Sequence, residues 1–168
     1  SLAALGIGHG DEVIVPDLTF IATANAVTLA GATTVLVDVD PATLNMSVES
    51  FRNAITSRTR AVIPVHVSGR SADMDAILSV ARAHGLAVIE DAAEALLSKS
   101  KGRALGTIGI AGCLSFSPNK TITTGQGGMV LTNDDALHIR LRELKDQGRP
   151  VRGTGGDDVH ASVGFNFK

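Results

Sequence analysis

Two short segments hold residues whose types and spacing could do chemistry. The first is Ser115-Phe116-Ser117-Pro118-Asn119-Lys120, followed by Thr121-Ile122-Thr123-Thr124-Gly125-Gln126-Gly127-Gly128. Lys120 leaves a strand-like run and enters a loop of glycines and small hydroxyl residues. A neutral lysine amine attacks carbonyls and forms Schiff bases, and desolvation or nearby positive charge favours that neutral form. Taken alone, Lys120 is one of five lysines, and an exposed loop lysine is the plainer reading. A phosphate-cradling loop is a further option, but GxxxxGK[ST] is absent and no GxGxxG follows the first strand.

The second segment is Val88-Ile89-Glu90-Asp91-Ala92-Ala93-Glu94-Ala95. An aspartate at a strand end, followed by small residues, leaves room for a flat ring. A carboxylate there can keep a pyridine nitrogen protonated and so make the ring an electron sink. Asp91 could equally be a helix N-cap ahead of Ala-Ala-Glu-Ala.

The elements that must position these residues alternate between strand and helix. Glu12–Val15, Thr33–Val37, Ala61–Val65, Leu86–Ile89, Cys113–Phe116 and Met129–Leu131 read as short apolar strands. Phe20, Ile21, Ala24, Val27 and Thr28 recur at helical spacing and stop at Gly31. Ser47 caps a helix with Val48, Phe51 and Ile55 on one face; Asp73 caps another with Met74, Ile77, Leu78 and Ala81 inward and Gly85 at its end. Asp134 opens a last helix with Leu137, Leu141 and Leu144 on one side. The pattern predicts an α/β fold, a mostly parallel sheet with helices on both faces. Ligands in such sheets sit beyond the carboxyl ends of the strands, where Asp91 and the segment after Phe116 lie. Residues 92–112 show no long helix, and the Gly- and charge-rich residues 149–161 read as a loop.

Composition narrows the function classes. The chain has 168 residues, 44% hydrophobic and 19% charged, with a net charge of −2, which describes a globular domain without a nucleic-acid surface. Paired Cys/His metal spacings are missing, and Cys113, the single cysteine, excludes an internal disulfide. Its strand-like neighbours make it a buried structural thiol. No run is long and apolar enough to span a membrane.

Together the residues resemble the DegT/StrS-type sugar aminotransferases, which are fold-type I and pyridoxal-phosphate-dependent. The resemblance runs through Leu5-Gly6-Ile7-Gly8, Gly10-Asp11-Glu12-Val13-Ile14 and Thr19-Phe20-Ile21-Ala22-Thr23-Ala24-Asn25-Ala26. It continues through Pro64-Val65-His66, Ala72-Asp73-Met74-Asp75 and Ile89-Glu90-Asp91-Ala92-Ala93 to the lysine loop and Gly164-Phe165-Asn166. One such stretch is weak; their order and spacing together are specific.

The resemblance implies pyridoxal 5'-phosphate as cofactor, bound to Lys120 through a Schiff base, with Lys120 then shuttling the proton between cofactor and sugar. Asp91 would pair with the ring nitrogen, Phe20 would stack on the ring, and Ser115 would bind the phosphate. Glu94 stands where Gln or His is common near the cofactor's phenolic oxygen, and Asn166 would reach the phosphate of a neighbouring subunit across a homodimer interface. From pattern alone, Phe20 is equally a helix core aromatic, Ser115 a strand-end hydroxyl bonded to backbone, and Asn166 a loop asparagine. His66 fits a satisfied structural histidine better than a site residue. The implied reaction is amino transfer, with glutamate as donor, to a nucleotide-linked keto-deoxy sugar in polysaccharide biosynthesis. It would take place in the cytoplasm, with no nucleic-acid or membrane partner.

By the same resemblance, residues 1–168 would be the central part of the cofactor-binding large domain, without its first strand and helix, its Ser-Gly-Thr phosphate turn or the C-terminal small domain. That implies apolar surface exposed along Phe20 and Val27. A truncated, non-catalytic remnant that folds, oligomerises and binds cofactor weakly or not at all is the alternative.

Overall fold

The computed structural model describes residues 1–150 and 159–165. Of the stretch expected as a loop over 149–161, residues 151–158 lie outside the described residues. Among the described residues eight strands form: β1 Glu12–Pro16, β2 Thr33–Val37, β3 Thr59–Val62, β4 Ala87–Asp91, β5 Lys99–Ser100, β6 Arg103–Ala104, β7 Ala111–Ser115 and β8 Gly128–Leu131. Four α-helices accompany them: α1 Ala22–Leu29, α2 Val48–Asn53, α3 Met74–Ala83 and α4 Asp135–Lys145.

Three of the four helices begin where a side chain satisfies a free backbone amide. Ser47, Asp73 and Asp134 accept from the N–H of Ser50, Ala76 and Leu137, each stabilising its helix by about 1 kcal/mol. Helix α1 has no side-chain cap and starts at Ala22. Phe20 and Ile21 therefore precede it, exposed, although their spacing matches the helix.

The strands run in the order β2-β1-β3-β4-β7-β8. Within this six-stranded sheet the pairings are parallel except β7 with β8. Chain order reverses between β1 and β3, and the crossover helices α1 and α3 lie on opposite faces, as right-handed connections in opposite directions require. Phe51 of α2 and Met74, Ile77 and Val80 of α3 pack on Ile14, Val37, Val62 and Val88. On the other face Val27 of α1 and Leu137 of α4 meet Val13, Val15, Ala61, Ile63, Ile89 and Ala111. Burial of Phe51 alone makes truncation to alanine cost about 3–5 kcal/mol.

Two expectations need correction, and a third, the lack of a long helix over 92–112, is met. Strand β3 stops at Val62 rather than Val65, where Pro64 has no N–H for the ladder; Val65 still bridges to Asp91. Val27 is fully buried rather than exposed, because α1 lies flat on β1 and β2 with Val27 inward. The region 92–112 holds a hairpin, β5–β6, whose turn residues Lys101 and Gly102 both have positive φ, the conformation of a tight hairpin turn.

Candidate active site

Strand alternation decides which side chains can meet. On β4, Val88 joins the core on the α2/α3 side and Ile89 the core on the α1/α4 side. Glu90 therefore faces the first side and Asp91 the second. Asp91 is opposite Cys113 in the parallel ladder to β7, and Ser115, two residues further on, lies on the same face as Cys113. Asp91 and Ser115 thus leave adjacent strands on one side of the sheet, at the carboxyl ends.

The Asp91 carboxylate is held by both oxygens. Its Oδ2 accepts from Thr23 Oγ1 at 2.6 Å and its Oδ1 from the Ala93 N–H at 3.1 Å. A hydroxyl has one proton, so Thr23, having given its own to Asp91, accepts from Thr19 Oγ1 at 2.8 Å. No helix follows Asp91, which removes the helix-cap reading; it caps one turn.

Lys120 arrives over the same turn. Its Nζ lies 3.5 Å from Glu94 Oε1, with 14% of the lysine side chain exposed. The other Glu94 oxygen accepts from the Ser68 N–H at 2.9 Å, which the left-handed backbone of Ser68 (φ 51) presents. The lysine loop itself is closed by Lys120 N–H on Ser117 O, Thr124 N–H on Phe116 O and Phe116 N–H on Gly127 O. The plainer reading of Lys120 as a solvent-exposed loop lysine therefore fails.

Ser115 Oγ contacts Ser117, both the hydroxyl at 3.2 Å and the N–H at 3.4 Å, so its hydroxyl already has a local partner. Phe20 is 74% exposed, which excludes the core-aromatic reading, and it lies just before α1, three residues before Thr23. Asn166 lies outside the described residues. The donor set suits a phosphorylated aldehyde with a basic ring. A fixed carboxylate, a sheltered amine, a hydroxyl and an exposed aromatic ring come from segments that end at the carboxyl ends of the strands.

The sequence profile of the DegT/DnrJ/EryC1/StrS aminotransferase family matches residues 1–168. The chain belongs to this family. A GDP-perosamine synthase from Caulobacter vibrioides is 55% identical over all of this chain, which covers 44% of that protein. Among solved structures, an aminotransferase from Psychrobacter cryohalolentis superposes with a TM-score of 0.94 at 43% identity, over 98% of this chain and 44% of that one. NtdA from Bacillus subtilis with bound cofactor PMP superposes at 0.88 and 33% identity, over 98% and 37%. The chain thus spans less than half the length of these relatives.

Sequence reasoning missed three residues of this aminotransferase-family site. Thr23 sits within a stretch that carries the resemblance, but its hydroxyl gives no local sign of a partner on β4. Ser68 contributes only an N–H, which no residue type announces. Glu90 is fully buried. Its Oε2 accepts from His66 Nε2 at 3.0 Å and the Gly106 N–H at 2.8 Å, its Oε1 from the N–H groups of Ile108 at 2.6 Å and Gly109 at 2.7 Å. Burial alone would push the Glu90 carboxyl up, but the bonds from His66, Gly109, Gly106 and Ile108 outweigh it and hold the carboxyl below its ordinary value. His66 is fully buried with both ring nitrogens bonded, in keeping with its reading as a satisfied structural histidine.

Proposed function

We propose that this chain carries the cofactor-binding centre of an enzyme that transfers an amino group, from an amino acid such as glutamate, to a nucleotide-linked keto-deoxy sugar. The observation that carries the reading is that Lys120 pairs with Glu94 on the short turn that Asp91 caps through the Ala93 N–H, in a member of an aminotransferase family. The relative named for a GDP-linked amino sugar favours a nucleotide sugar as acceptor.

Pyridoxal phosphate, when bound, supplies an electron sink for the carbanion formed during transamination. Lys120 Nζ would hold its aldehyde covalently and, when free, would move a proton to and from the reacting carbon. Asp91, aimed by Thr23 and Ala93, holds the proton on the ring nitrogen. Phe20 supplies a flat apolar surface for the ring and excludes water from one side. The Ser115 hydroxyl, now bonded to Ser117, would help hold the phosphate, and Glu94, beside the Lys120 amine, would face the cofactor's phenolic side. The same reading places residues 1–168 within the large cofactor-binding domain of a homodimer, with Asn166 serving the neighbour's phosphate.

The test uses the full-length protein incubated with pyridoxal phosphate, reduced with borohydride and digested. Label on the single peptide containing Lys120 is expected, with amino transfer from glutamate to a nucleotide-linked keto sugar. Label spread over Lys99, Lys101 and Lys145 overturns the assignment.

A further inference from the structure

The Glu90 and His66 side chains bond none of the side chains assigned above to the cofactor, yet they join the segments that deliver Asp91, Ser115 and Lys120. His66 lies at the exit of β3 and Glu90 immediately before Asp91. Gly106, Ile108 and Gly109 belong to the loop that leads into β7, the strand of Ser115 and the lysine loop. A carboxylate has about four acceptor sites, and Glu90 fills four with His66 and the three loop amides.

His66 has no freedom to turn. Its Nδ1 accepts from the Ala72 N–H at 3.2 Å, so the ring proton sits on Nε2, facing Glu90. Its backbone N–H donates to Asp91 O at 3.0 Å, and the Asp91 N–H returns to Pro64 O at 2.9 Å. The loop lies hard against the strands: a Cβ on Gly109 would come within 2.3 Å of Val88 O, and one on Gly112 within 2.0 Å of Gly106 O. Only this close approach brings the loop amides within reach of Glu90.

For stability alone, an apolar side chain of the same volume does as well or better than a buried carboxylate. What four directional bonds add is a fixed geometry between segments. We propose that Glu90 and His66 are positioning residues, a buried pair that sets the relative placement of the β3, β4 and β7 exits and so of Asp91 and Lys120 toward the cofactor. The inference rests on the cofactor reading above.

Glu90→Gln replaces two acceptor sites with an amide NH2, which must face another donor. His66 cannot relieve this by changing tautomer, because Nδ1–H would then oppose the Ala72 N–H. His66→Asn keeps an acceptor near Nδ1 but leaves Glu90 one donor short, whereas His66→Gln keeps a donor near Nε2. In full-length protein with pyridoxal phosphate, Glu90→Gln and His66→Asn are expected to raise the cofactor dissociation constant roughly tenfold, a loss usual when a group orienting a ligand is removed. They should also change the visible circular dichroism per bound cofactor, which reports how the ring is held. Without cofactor, the same two variants should speed amide hydrogen exchange in peptides over 64–72, 89–95 and 111–120. His66→Gln should stay near the parent in all three.

A parent that binds no pyridoxal phosphate at Lys120 refutes the cofactor reading itself. A parent that binds it, with variants that melt earlier but keep dissociation constant and circular dichroism per bound cofactor unchanged, overturns the positioning role. Should Glu90→Gln not fold, the contrast between His66→Asn and His66→Gln decides by the same measures.

Discussion

Thr23 Oγ1 donates to Asp91 Oδ2 at 2.6 Å, joining the first turn of α1 to the end of β4 across 68 residues. A hydrogen bond to an ionised group contributes about 1.5–3 kcal/mol, and Thr23 is buried. Thr23→Val keeps the shape and removes the donor. It should lower the unfolding free energy by about 1–2 kcal/mol and weaken pyridoxal phosphate binding. Thr23→Ser should retain most of both. Urea unfolding and cofactor titration check the pair; a valine variant equal to the parent in both would show that the bond orients nothing.

Asp134 caps α4 through the Leu137 N–H at 2.8 Å. Asp134→Ala should cost about 1 kcal/mol, and Asp134→Asn much less, because the asparagine oxygen accepts the same bond. Thermal melts of the two variants at pH 7 would separate the cap from the charge.

Stability should fall at acid pH, and Glu90 should account for part of the fall. The Glu90 carboxyl is held below its ordinary value of 4.5 against the pull of burial. Glu12 is likewise lowered by Thr56 and Arg58, and Asp75, below its ordinary 3.8, by Lys101 and Arg103. A group lowered on folding binds fewer protons in the folded chain, so its stabilisation is present above the unfolded value and disappears as pH drops through the folded one. In urea unfolding from pH 7 to pH 3, the stability gap between parent and Glu90→Gln should narrow below about pH 4.5. A gap constant over that range would place the carboxylate's contribution elsewhere.

Two glycines should respond unequally to alanine. At Gly109 a Cβ meets Val88 O at 2.3 Å, whereas at Gly85, with φ +66, nothing lies within 4 Å. Gly85→Ala carries only the strain of the left-handed backbone, about 1 kcal/mol. Gly109→Ala must push a loop off a strand and should cost several kcal/mol or prevent folding, at the top of the usual range for single substitutions. Chemical denaturation of both variants tests the order.

Glu94 makes an ion pair with Lys120 while 46% of its side chain is exposed. Exposed pairs contribute about 0–1 kcal/mol, and a glutamine at position 94 can still accept the Ser68 N–H. Glu94→Gln should therefore leave the unfolding free energy within about 0.5 kcal/mol of the parent. A larger loss in urea unfolding would make Glu94 a structural element of the turn.

The sequence by itself determined the elements whose signals are local. The caps at Ser47, Asp73 and Asp134 bind an amide three residues ahead, and the apolar faces of α2, α3 and α4 repeat within one helix. The alternating strand–helix order implied the mostly parallel sheet, and Lys120 and Asp91 stood out in their own segments as candidates for Schiff-base and ring-nitrogen chemistry. Only the tertiary structure decided that Thr23 aims Asp91, that Glu94 meets Lys120, and that Glu90 gathers His66 and three loop amides. It also left Phe20 outside the helix its spacing fits and buried Val27. These relationships join positions from 16 to 68 residues apart. They exist because the strand order brings the exits of β3, β4 and β7 side by side. A side chain facing across that junction has no periodicity along the chain to reveal its partner.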